Sequence, residues 1–236
     1  VTPEQMVETA LKHEVDGIAF TYSEPAVWLE YVLDVSKLAH EAGVFTVYVS
    51  NSFVTDEALE LVAPHIDVLG SEIKSLSAEF YHEICSVGTV EQVLGSIKKA
   101  AELGIHVETR TNVIPTKNDD LDELKHIAEW IYDNLGANSP WHVTKFFPAY
   151  KLSHLPPTDN AIIDQAAAAA RTVGLQHVYA HSDISCDCAT ENQPISAWLE
   201  LDADALNAVN TCAASCCGDE GILVKKFERQ AGLLVE

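Results

Sequence analysis

Apolar and polar positions along the chain switch repeatedly between a helical period and short β-rich runs. Thr2-Pro3-Glu4-Gln5 reads as a capping box with proline in the first turn, and Met6, Val7, Ala10 and Leu11 follow on one helical face. Gly17 to Tyr22 reads as a short strand. Pro25 opens a second helix whose apolar stripe is Val27, Trp28, Tyr31, Val32, Val35, Leu38 and Ala39, and Gly43 closes it. Val44 to Val49 is β-branched and aromatic, the composition of a buried strand.

The same cycle continues. Further strands are predicted over Ile66 to Ile73, Ile105 to Ile114, Trp141 to Phe147 and Gln176 to Ala180. Helices are predicted after Thr55, Ser77 and Thr89, over Leu121 to Leu135, and over Thr158 to Val173. Six strands alternate with helices and no hairpin signal lies between them, so the expected class is α/β with a parallel sheet. Such an array is an open doubly wound sheet or a full or partial barrel, and the lack of a Gly-rich fingerprint after the first strand favours the barrel. The pattern breaks after Ala180. Residues 1–180 are therefore expected to form the barrel and residues 181–236 a Cys-containing tail with one helix around Asp202 to Val209.

Composition narrows the classes. The chain has 236 residues, 47% of them hydrophobic, enough for one large domain with its own core or a domain plus a small appendage. No apolar run approaches the roughly 18–20 residues needed to span a bilayer. VTPEQMVETA has neither the basic nor the apolar region of a signal peptide, and it lacks an initiator Met, so processing or a longer parent chain is expected. The net charge of −22 repels phosphate backbones and anionic lipid, which argues against nucleic-acid and membrane partners and for a cytoplasmic protein. The spread of acids fits either adaptation to high salt or an ordinary acidic protein. Cys85 stands alone, whereas Cys186, Cys188, Cys212, Cys216 and Cys217 cluster in the last third, a distribution that favours metal or redox chemistry over disulfides.

Ligands of parallel α/β folds bind at the carboxyl ends of the strands. Those ends here carry Ser23 and Glu24, then Asn51 and Ser52, then Glu72 and Lys74, then Glu108, Arg110 and Asn112, then His142, Thr144 and Lys145. Glu24 before Pro25 is a carboxylate at a strand-to-helix turn, suited to a ligand or to a helix N-terminus. Glu72 and Lys74 are two apart on a strand and point the same way, as a catalytic pair or as a solvated one. His142 on an apolar strand suits a satisfied core histidine.

Tyr22-Ser23-Glu24-Pro25, Val49-Ser50-Asn51, Ile73-Lys74-Ser75, the run Trp141 to Leu152 and Leu155-Pro156-Pro157-Thr158 resemble the radical SAM enzyme of the AmmeMemoRadiSam system, a group similar to the pyruvate formate-lyase activating enzymes. The resemblance covers about Thr2 to Tyr179. It implies a partial (β/α) barrel that here lacks its first strand, S-adenosylmethionine (SAM), a [4Fe–4S] cluster and a 5′-deoxyadenosyl radical. It also implies a reductant such as flavodoxin or ferredoxin, and a small-molecule or protein substrate of unspecified identity. Glu24, beside Ser23, takes the part of the acid that binds the SAM amino group. Asn51 and Ser52 lie near the ribose or carboxylate, Val113 and Ile114 wall the adenine, and Lys74 with Glu72 faces the substrate as the catalytic pair.

The departures are specific. The family's C-x3-C-x2-C motif is absent from the 236 residues, so this chain alone is expected to be inactive. Glu72 stands for Asp, Phe147 for His, and Arg110 is unusual. The stretch Thr211 to Gly218, with Cys212, Cys216 and Cys217, resembles a stretched form of the Cys-x-x-Cys-Gly knuckle of the family's tails, and Cys186 and Cys188 are candidates for the other half of a tetrahedral Zn site; the spacings are irregular, and a redox cluster or free thiols are the alternatives. Two other readings remain open at this level: a cluster-less barrel that binds a ligand or partner, and a barrel lyase or aldolase using Glu24, Glu72 and Lys74.

Overall fold

The structure, a computed structural model, describes residues 1–86 and 89–181. Cys186, Cys188, Cys212 and Cys216, the zinc site expected of them and the helix around Asp202 to Val209 lie outside the described residues. Six strands, β1 (Gly17–Phe20), β2 (Phe45–Val49), β3 (Val68–Glu72), β4 (His106–Val113), β5 (Trp141–Lys145) and β6 (Val178–His181), form one sheet in chain order. Every neighbouring pair is parallel. The sheet is open: among the described residues β1 pairs only with β2, leaving the edge beside Gly17 unpaired.

The helices are α1 (Pro3–Lys12), α2 (Leu29–Glu41), α3 (Asp56–Val62), α4 (Ala78–Phe80), α5 (Val90–Glu102), α6 (Leu121–Leu135) and α7 (Asn160–Val173). Their starts follow local chemistry. The Thr2 hydroxyl accepts the Gln5 N–H at 3.3 Å, and the Gln5 side chain accepts the Thr2 N–H at 3.0 Å. The Thr89, Asp120 and Asp159 side chains accept first-turn N–H groups of α5, α6 and α7. The start of the second helix differs from the expected stripe. Pro25–Trp28 is a turn of 3-10 helix preceding α2, and its three residues per turn break the phase of the apolar face. Val27 is consequently 78% exposed, while Val32, Val35 and Ala39 are fully buried.

The two faces of the sheet are unlike. Phe20, Tyr48, Leu69, Thr109, Thr111, Trp141 and Val143 alternate onto one face and are buried, with the apolar sides of α2, α5, α6 and α7 completing the core. Buried hydroxyls on this face are satisfied internally: Trp141 Nε1 donates to Thr111 Oγ1 at 3.0 Å, and Thr111 Oγ1 donates to the Ile73 carbonyl at 2.8 Å. The opposite positions, Gly70, Glu72, Glu108, Arg110, Asn112 and Thr144, are half-buried or exposed. This open face, with the loops at its carboxyl edge, presents the polar side chains.

Candidate functional site

Glu24 leaves β1 at the turn into the 3-10 helix, where its Oε1 accepts the Ala26 N–H at 3.3 Å. It thus caps a helical turn, but it also reaches the end of β2. Oε1 accepts from Ser50 Oγ at 2.8 Å and Oε2 accepts the Asn51 N–H at 3.0 Å. The loop after β2 is tied down in turn. Ser50 Oγ accepts the Ser52 N–H at 3.0 Å, Asn51 Oδ1 accepts the Phe53 N–H at 2.8 Å, and the Ser52 carbonyl accepts from Ser96 Oγ of α5. Ser52 is 1% exposed with φ of 63°, and its own Oγ is buried with no partner among the described residues.

The end of β3 supplies the second cluster. Lys74 Nζ is ion-paired and hydrogen-bonded to Glu72, both side chains about three-quarters buried. The Lys74 N–H donates to the Tyr81 hydroxyl at 3.4 Å. Ser75 Oγ donates to Glu123 at the start of α6, and the same Glu123 oxygen accepts the Leu76 N–H at 2.9 Å. Burial pushes the Tyr81 phenol and the Cys85 thiol above their ordinary pKa values.

Both clusters open into one cavity of ≈ 590 Å³. Glu24, Asn51, Glu72, Lys74 and Asn112 supply its polar groups, and Phe80, Tyr81, Ile84, Val93 and Ile114 are among its less polar walls. The predicted site residues therefore divide. Glu24, Asn51, Glu72, Lys74 and Ile114 line the cavity together. Ser23 is exposed next to Glu24, Ser52 lies behind Asn51, and Val113 is fully buried away from the cavity, because neighbouring strand residues face opposite ways. Phe53, Tyr81 and Cys85 also line the cavity, and no local pattern marks them for it. Their segments are irregular loops and a short helix of weak periodicity.

His142 is 9% exposed, as a core histidine would be, but it is not in an apolar setting. Its Nε2 lies 3.0 Å from Glu108 Oε2, its ring stacks on Tyr179 at 4.8 Å, and His106 Nε2 lies 3.4 Å from the other Glu108 oxygen. Burial raises the Glu108 carboxyl, but the hydrogen bonds and charges of His106 and His142 outweigh it and bring the pKa down to about 2. Among the described residues no group of three His, Cys, Asp or Glu side chains is arranged to hold a metal ion.

A carboxylate with both oxygens oriented at one end, an ion pair at the other and apolar walls between them suit a ligand with a cationic head and a flat apolar part. The chain is 37% identical over 179 residues to the uncharacterized protein MJ0808 of Methanocaldococcus jannaschii, a match covering 76% of this chain and 53% of that protein. It is 27% identical over 121 residues to a (2S)-3-sulfopropanediol dehydratase activating enzyme of Klebsiella oxytoca, covering 51% and 38%. The chain thus spans about half the length, or less, of these curated relatives. A domain of a pyruvate-formate lyase-activating enzyme from Bacteroides vulgatus superposes with a TM-score of 0.59 at 19% identity, over 69% of this chain and 96% of that one. The open parallel sheet is thus the partial barrel of that fold, and because the model of the Radical SAM superfamily matches residues 1–131, the chain belongs to that superfamily.

Proposed function

We propose that the cavity binds SAM and that the protein is a radical SAM enzyme of the AmmeMemoRadiSam type, similar to the glycyl-radical activases. The observation that carries this reading is Glu24, whose two carboxylate oxygens are aimed by Ser50 Oγ and the Asn51 N–H. A carboxylate fixed in this way receives an α-amino group with charge-assisted hydrogen bonds and little reorganisation. Ile114 offers an apolar wall to the adenine. The residues present fit SAM, which supplies a 5′-deoxyadenosyl radical when it is reductively cleaved.

They do not fit the [4Fe–4S] cluster. Cys85 is the single cysteine among the described residues, and the 236 residues contain no C-x3-C-x2-C motif. The reading therefore assigns the cluster thiolates to a segment outside these residues, and a flavodoxin or ferredoxin to the role of reductant. Residues 1–180 are read as the catalytic barrel and residues 181–236 as a separate tail. Lys74, ion-paired to Glu72, is read as a cation on the substrate side of the cavity.

Calorimetric titration with S-adenosylhomocysteine tests the reading. Glu24→Ala is expected to weaken binding at least tenfold, in line with the roughly 1.5–3 kcal/mol of a hydrogen bond to a charged group. Equal affinity in the two proteins would refute it.

A further inference from the structure

We draw no further inference here: the strongest candidate, the cluster of Glu72, Lys74, Tyr81 and Cys85 at the β3 end of the cavity, belongs to the site already described, and nothing beside its lone thiol points to a second ligand.

Discussion

The side-chain amide of Asn118 donates to the carbonyl of Lys74 at 2.6 Å, across the point where β3 and β4 stop pairing. The same nitrogen donates to the Asn112 carbonyl at 3.0 Å, and Asn118 Oδ1 accepts the Ile114 N–H at 2.5 Å. The registered ladder between these strands ends at Glu72 opposite Arg110, with one more bond from the Ile73 N–H to the Arg110 carbonyl. Beyond that, a side chain only 1% exposed replaces the missing sheet bonds and spaces three cavity residues, Lys74, Asn112 and Ile114.

Replacing Asn118 by Ala leaves two carbonyls and one N–H without this partner in a buried place. The expected loss is about 2–4 kcal/mol of unfolding free energy, measured by urea titration. Asn118→Asp retains the acceptor for Ile114 but loses both donors, and it places a charge among carbonyl oxygens, so it should not rescue the fold. A loss below about 0.5 kcal/mol in Asn118→Ala would mean that water replaces the amide without cost.

The Glu108 cluster predicts an acid-dependent contribution to stability. Its folded pKa, about 2, lies below the ordinary value of 4.5, so the native state favours the carboxylate. The contribution is fully present above the unfolded pKa and is lost as the pH falls from about 4.5 toward 2. A shift of that size corresponds to roughly 3 kcal/mol for a fully buried group. With a third of the Glu108 side chain exposed, about 1–2 kcal/mol is expected. Wild type and Glu108→Gln should differ by that amount at pH 5 and converge toward pH 2 in chemical denaturation. A difference that is constant with pH would show that the histidines do not stabilise the charge.

The fold and the site were legible to different depths. Parallel order could be read because Gly43, Gly104 and the capping residues punctuate helices between every pair of β-rich runs, and no two-residue turn joins them. Glu24 stood out because Pro25 fixes a turn after it. Asn118 did not, since it acts through contacts with Lys74, 44 residues away, that no local period encodes. The same holds for Ser75 with Glu123, 48 apart, and for Glu108 with His142, 34 apart. Val27 was misplaced because periodicity assumes 3.6 residues per turn, and the 3-10 turn at Pro25 does not keep it. Val113 and Ile114 are adjacent in sequence, but only Ile114 reaches the cavity.

Salt provides the last prediction. The net charge is −22, and even if every Lys and Arg were paired, most of the 36 acids would lack a basic partner. Among the described residues the lysine ion pairs outside the site, Lys99 with Glu60 and Lys125 with Glu129, are partly exposed and contribute little each. Folding brings the remaining like charges closer than in the open chain, and that repulsion weakens the native state. Added salt shortens the screening length from about 10 Å at 0.1 M to about 3 Å at 1 M, so the repulsion fades first and fastest at low concentration. The melting temperature is therefore expected to rise with sodium or potassium chloride, steeply below a few tenths molar and more slowly above. Chloride is a weak excluder, so preferential exclusion does not account for such an early rise, and sulfate at equal ionic strength should add a further increment. A melting temperature flat or falling from low to molar chloride would show that the acids are already balanced locally and that the folded chain carries no net penalty from its charge.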